Sequence, residues 1–209
     1  MYIVLEGMVG CGKTTQSKML VSWLQRRYPN RDVIRTREPG GSQIADDIRK
    51  LVQATSYTED MDPVCEAYLY ASSRAQTLRT VVGPALSQGA IVVSDRCFCT
   101  SIAYQGVGLG LGFDTIMDIN HIAIKGYIPD LVLYMDIDPV VALTRTSDHA
   151  GDKHESKPID FFHAVIDGYH QLATHHMRSN QWHTIDGNRD IDLIHTDICQ
   201  IVSFAIDYR

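Results

Sequence analysis

The stretch GMVGCGKTT, residues 7–15, sets Gly7, Gly10, Cys11, Gly12, Lys13, Thr14 and Thr15 directly behind the apolar run Tyr2 to Leu5. Gly7, four residues, then Gly12-Lys13-Thr14 is the spacing of a phosphate-binding loop. Glycine lets the backbone wrap closely enough for several N–H groups to point at phosphate oxygens, and the following helix adds the partial positive charge of its first turn. On this basis the backbone from Gly7 to Thr15 would cradle ATP, Lys13 would reach the terminal phosphates, and the Thr14 hydroxyl would hold Mg²⁺. The bland alternative is a chance glycine turn, against which the strand before and the helix after both argue.

A metal held by Thr14 needs a second oxygen nearby. Ile91-Val92-Val93-Ser94-Asp95 is an apolar strand ending in a carboxylate, the Walker B arrangement. Asp95 would fall at the carboxyl end of its strand, where open α/β sheets bind ligands, although a strand-ending aspartate also serves as a turn or helix cap. Arg96 follows it, and Arg37 closes another strand in Arg37-Glu38-Pro39-Gly40-Gly41. Two guanidiniums at strand ends make a clamp for a second phosphate. Each taken singly fits a surface ion pair equally well.

The elements that must position these groups alternate. Strands are expected at Tyr2 to Leu5, Val33 to Glu38, Ala90 to Asp95, Leu131 to Asp136 and His183 to Ile185. Helices are expected at Thr14 to Arg27, Gln43 to Gln53, Pro63 to about Leu86 with a bend before Pro84, Thr100 to Tyr104, Phe113 to Lys125, Pro139 to Thr146, Phe161 to Met177 and Ile191 to Ile206. This alternation implies an α/β fold, a parallel sheet with helices on both faces. TSDHAGDKHESKP, Thr146 to Pro158, breaks the pattern with almost no apolar residue, and reads either as a surface loop or as a mobile lid over about residues 146–159.

Composition narrows the class. With 209 residues, 44% of them hydrophobic, the chain suffices for one domain with a sizeable core, here taken as residues 1–209. A net charge of -6 argues against broad nucleic-acid binding, without excluding a local basic pocket. No apolar run reaches the ~20 residues of a membrane span, and no basic region opens a signal sequence. The five cysteines, an odd number, imply no disulfide framework, so a reducing, cytoplasmic setting is expected. Cys97 and Cys99 are the only close pair, and the neighbouring sequence supplies no further metal ligands. His170, His175, His176 and His183 read as ordinary surface or half-buried histidines.

GMVGCGKTT, TREPGG at 36–41, SDR at 94–96, AYQG at 103–106, LYMDIDP at 133–139, DFF at 160–162 and IDG at 185–187 together resemble the thymidylate kinase family of P-loop nucleoside monophosphate kinases, over nearly the whole chain. The resemblance implies a P-loop three-layer sandwich with a five-stranded parallel sheet and a short lid. It also implies transfer of the γ-phosphate of ATP to dTMP with Mg²⁺, and a homodimer. By the same resemblance Arg37 and Arg96 would meet the dTMP phosphate, and Tyr70 would stack on the base. Arg74 would read an exocyclic oxygen, Thr100 would meet the base edge, and Ser101, Tyr104 and Gln105 belong to the same substrate-binding segment. Tyr70 and Arg74, at i and i+4, share a helix face.

Two departures matter. Val9 stands where the family usually carries an acidic residue against the sugar 3′-hydroxyl, and valine accepts no hydrogen bond. The family's arginine finger is also missing from the P-loop and from Thr146 to Asp160. Lys153 takes its place within Asp152-Lys153-His154-Glu155, with Arg145 at the lid entrance as a helper. Lysine lacks the bidentate fork of arginine. Two alternatives stay open: a kinase for another deoxynucleotide or a deoxynucleoside, and a regulatory module that binds nucleotide without turnover.

Overall fold

The computed structural model describes residues 1–145, 157–176 and 181–208. Five strands form one wholly parallel sheet: β1 Tyr2–Glu6, β2 Val33–Arg37, β3 Ile91–Asp95, β4 Leu131–Asp136 and β5 Trp182–Asp186, in the order β2-β3-β1-β4-β5. Every residue of β1 and β3 is buried, as the continuous apolar runs require of strands covered on both faces. β2 and β5 lie at the edges and are half exposed.

Register does the positioning. Leu5 lies beside Asp95, and Asp95 beside Arg37. The carboxyl ends of β1, β3 and β2 therefore deliver the P-loop, Asp95-Arg96 and Arg37-Glu38 to the same edge of the sheet. The strand order reverses at β1, the place where open α/β sheets form their binding crevice.

The helices are α1 Lys13–Arg27, α2 Gln43–Val52, α3 Pro63–Thr77, α4 Gly83–Ser87, α5 Phe98–Ser101, α6 Phe113–Ile124, α7 Pro139–Thr144, α8 Ile159–Gln171 and α9 Ile191–Asp207. α1 and α9 pack on each other and on the sheet, and α3 packs against α2 and α6. The long helix expected from Pro63 is three pieces: α3, a π-helical turn Leu78–Val82, and α4. Pro84 has no N–H to donate to a carbonyl one turn back, which interrupts the regular helical ladder in the turn before it.

The helix expected at Thr100 starts earlier, at Phe98, and continues as π-helical turns through Ile102–Gly108. α8 packs closely on those turns. A Cβ at Gly168 would lie 2.9 Å from the Ala103 Cα, so only glycine lets the two segments touch. α7 stops at Thr144, two residues short of the expected end. Of the lid expected at about residues 146–159, residues 146–156, with Lys153, lie outside the described residues, as does Met177. Among the described residues no helix is long and apolar enough to cross a membrane.

Candidate active site

The P-loop leaves β1 at Gly7, whose φ of 138° lies where glycine is favoured and whose Cβ, were there one, would sit 2.7 Å from the Met135 carbonyl. Gly10 and Gly12 also have positive φ, 79° and 92°. Gly12 caps α1 without a side chain, so the first N–H groups of that helix remain open to a ligand. The Lys13 ammonium folds back onto the Met8 carbonyl at 2.6 Å and the Cys11 thiol at 3.3 Å. Burial holds its pKa below the ordinary lysine value, and the Arg96 charge pushes the same way.

The two residues expected to share a metal meet directly: the Thr14 hydroxyl donates to the Asp95 carboxylate at 2.6 Å. Both line the cleft. A hydroxyl and a carboxylate, oxygen donors only, suit Mg²⁺ and fit poorly to softer metals.

Arg96 is held in the left-handed region at φ 79°, one of two such non-glycine residues among those described. Its backbone is fixed on both sides, N–H to the Leu5 carbonyl at 2.9 Å and C=O to the Ser94 hydroxyl at 2.7 Å. Its guanidinium donates to the Gly7 carbonyl at 3.0 Å and the Thr100 hydroxyl at 3.2 Å, and lies 5.3 Å over the Tyr104 ring. Burial works against its charge, but Tyr104, Tyr169, Glu6 and Asp95 outweigh burial and hold its pKa well above the ordinary value.

Beneath Arg96 sits a buried hub absent from the sequence reading. Glu6, at the end of β1, accepts from the Cys97 and Thr100 backbones, the Thr100 hydroxyl and the Tyr169 hydroxyl. Its carboxylate also lies with the thiols of Cys97 and Cys99 inside 4.8 Å. The third group that the neighbouring sequence did not supply for this cysteine pair is therefore present in space. Its oxygens are already taken by four donors, and burial raises the Cys97 thiol pKa well above its ordinary value, which suits a packed structural cluster.

One cavity of about 1050 Å³ joins these groups. Its wall carries the P-loop from Val9 to Gln16 together with Arg37, Tyr70, Asp95, Arg96, Thr100, Tyr104, Gln105 and Arg145. Lys13, Arg35, Arg37, Arg49, Arg96, Arg145 and Arg189 face it against only Glu38, Asp95 and Asp190. In a chain of net charge -6 the positive charge is thus concentrated where phosphates would bind. Arg35 and Arg49 were missed from sequence. Arg35, two residues before Arg37, shares its strand face and donates to the Ser17 hydroxyl at 3.0 Å. Arg49 donates to the Pro39 carbonyl at 3.1 Å.

Three expected site residues stand elsewhere. Gly7 and Ser101 lie behind the wall, not in it. So does Arg74, whose side chain is buried against Glu38 at 2.6 Å, Asn120, Ser101 at 3.1 Å and the Cys97 carbonyl at 3.3 Å. Four of its five N–H groups are committed, leaving one for a ligand. Burial pushes the Glu38 carboxyl pKa up, with Arg74 opposing. Arg37 pairs with Asp46 at 2.9 Å. Arg145 is held by the Gly187 carbonyl at 3.1 Å, beside the Arg189 to Ile194 part of the wall. Val9 offers only its backbone N–H, which donates to the Tyr104 hydroxyl at 3.1 Å. His170 pairs with Asp136 at 3.0 Å, away from the cleft wall.

A parallel sheet of this order, a glycine loop opening onto a helix N-terminus, and a hydroxyl–carboxylate pair beside it define a P-loop nucleotide-binding protein. The thymidylate kinase family model matches residues 5–198. The chain is 43% identical over 173 residues to a thymidylate kinase of Finegoldia magna, covering 82% of this chain and 84% of that one. It is 38% identical over 200 residues to one of Clostridium novyi, covering 94% and 95%. The crystal structure of a thymidylate kinase from Ehrlichia chaffeensis superposes with a TM-score of 0.77 at 29% identity, over 97% of this chain and 98% of that one. The chain belongs to the thymidylate kinase family. It is a nucleotide kinase, and its reaction is the phosphorylation of dTMP to dTDP. None of these relatives favours a deoxynucleoside kinase or a regulatory module.

Proposed function

We propose that ATP and dTMP lie end to end in the single cavity, with the γ-phosphate of ATP meeting the dTMP phosphate between Lys13 and Arg96. The supporting observation is that the P-loop and Arg37, Tyr70, Arg96 and Gln105 line the same 1050 Å³ space. Pockets for single ligands commonly enclose about 300–1,000 Å³, and this cleft, at about 1050 Å³, lies at the top of that range.

In this account the α1 N-terminus and Lys13 hold the ATP phosphates, and Lys13 leaves the Met8 carbonyl to do so. Thr14 and Asp95 are the residues that would hold Mg²⁺, which would supply positive charge against that of the phosphates. Arg96, pre-charged and fixed by its backbone, orients the acceptor phosphate, with Arg37 released from Asp46 as its partner. Tyr70 offers its ring to the base, and Thr100, Tyr104 and Gln105 offer polar atoms to the base and sugar. Lys153 supplies positive charge to the moving phosphoryl group. Arg145, anchored at Gly187, is its helper at the lid entrance. Proximity and charge account for the catalysis, since phosphoryl transfer asks little covalent chemistry of the protein.

A single kinase unit and a cytoplasmic setting, read from the sequence, and a homodimer, carried over from the family resemblance, complete the proposal. The experiment is ADP release measured with ATP and Mg²⁺, before and after dTMP is added. Release that starts only with dTMP supports the proposal. Release independent of dTMP, or none at all, contradicts it.

A further inference from the structure

Gln105 and Glu66 form a buried pair in the wall of the acceptor end. Gln105 is 2% exposed and Glu66 3%. The Gln105 Nε2 donates to Glu66 Oε1 at 2.8 Å, while Gln105 Oε1 has no partner among the described residues. Gln105 lines the cavity beside Tyr70, and Glu66 stands one helical turn before Tyr70 on α3.

An ionised carboxylate only accepts hydrogen bonds, whereas an amide presents a donor on one side and an acceptor on the other. Glu66 accepts from the amide NH₂ and so sets its orientation, leaving the Gln105 carbonyl buried and without a partner among the described residues, on a residue that lines the cavity. A buried carbonyl without a partner is costly, and a bound ligand that brings an N–H removes the cost.

We propose that Glu66 is a positioning residue that fixes Gln105 as a hydrogen-bond acceptor and so sets which pyrimidine the site takes. This rests on the proposal that the base lies against Tyr70. A base with N–H at N3, such as thymine, gives that carbonyl a donor. A base with a lone pair at N3, such as 5-methylcytosine, meets it acceptor to acceptor, and polar sites reject such mismatches strongly. The C5 methyl is common to both, so shape does not separate them.

The test compares kcat/KM for dTMP and for 5-methyl-dCMP in the wild type and in Glu66→Gln. Glutamine at 66 can donate as well as accept, which frees the Gln105 amide to turn. The expected result is a fall of about tenfold or more in the dTMP preference, carried by KM for dTMP more than by kcat. The swap Glu66→Gln with Gln105→Glu, which again places an acceptor-only group in the wall, should restore part of the preference. An unchanged ratio, or an equal loss with both substrates, overturns the proposal. Absence of dTMP turnover in the wild type would instead overturn the proposed function. Should Glu66→Gln fail to fold, the Gln105 side-chain amide protons of the wild type decide by NMR. Resonances that keep their shift when dTMP binds support the proposal, and a large shift, showing NH₂ turned to the ligand, overturns it.

Discussion

The Thr14 hydroxyl donates to the Asp95 carboxylate at 2.6 Å, across 81 residues of sequence. Parallel pairing of β1 with β3 brings the two together, because the P-loop and Asp95 leave adjacent strands at the same end. Asp95→Ala removes the carboxylate without disturbing the P-loop backbone. We expect kcat to fall by ~100–1,000-fold, the usual cost of losing a charge-organising group in a transition state. Steady-state rates over a Mg²⁺ titration check this. A variant within a few-fold of wild type at ordinary Mg²⁺ would remove Asp95 from the metal site.

Val9 lines the cleft and packs partly against the core, at the position where the family resemblance would place an acidic residue against the sugar 3′-hydroxyl. Substrates lacking the 3′-hydroxyl should therefore lose little here, and the ratio of kcat/KM for dTMP over 3′-deoxy-dTMP should stay below about 100. Val9→Asp should raise that ratio by about 10–150-fold, the equivalent of ~1.5–3 kcal/mol for a charge-assisted hydrogen bond. A wild-type ratio already at about 100 or more, or a ratio unmoved by Val9→Asp, contradicts this account of the loop.

Lys153 is assigned the role of the missing arginine through its place in the lid sequence. Lys153→Ala should lower kcat by ~100-fold or more, with a smaller change in KM for ATP. Lys153→Arg should retain or increase the rate, since a guanidinium adds a bidentate fork. A Lys153→Ala variant within a few-fold of wild type would exclude the lysine from catalysis.

The lowered Lys13 pKa carries a pH signature. The unfolded chain keeps the Lys13 proton up to the ordinary value of 10.5, while the folded, ligand-free chain sheds it earlier because burial disfavours the charge. Between those two values the unfolded state binds more protons, so stability rises with pH in that window. Lys13→Met should remove this contribution, and bound ATP should suppress it by keeping the ammonium charged. Thermal unfolding across the alkaline range, for wild type and Lys13→Met, checks it. Equal slopes for the two proteins would contradict the assignment.

The parts of the site legible in the sequence are those whose meaning is local. The P-loop needs only its own spacing, and Asp95 only its place at the end of an apolar run. Glu6 and Tyr169 gave no such signal, because their role arises from contacts spanning 163 residues. Arg35 could have been found from its period-two relation to Arg37, and Glu66 from its one-turn spacing to Tyr70. Arg74 shows where helical periodicity stops informing. The i, i+4 spacing gives the correct face of α3, but its depth is set by Glu38 and by Asn120 of α6, which hold it behind the cleft wall. The strands followed from short apolar runs, but their order β2-β3-β1-β4-β5 did not, because it is set by pairings between distant segments. The π-helical turns at Leu78–Val82 and Ile102–Gly108 likewise gave no local signal beyond Pro84, the second of them packing on α8.

The account turns on an acceptor phosphate meeting the donor beside Lys13 and Arg96. Its most direct test is the initial rate of ADP formation, with ATP and Mg²⁺ saturating, for dTMP, dUMP, dGMP and thymidine in turn. The account predicts the fastest turnover with dTMP and none above background with thymidine, which brings no phosphate for Arg96 to hold. Thymidine or dGMP turning over as fast as dTMP would contradict it.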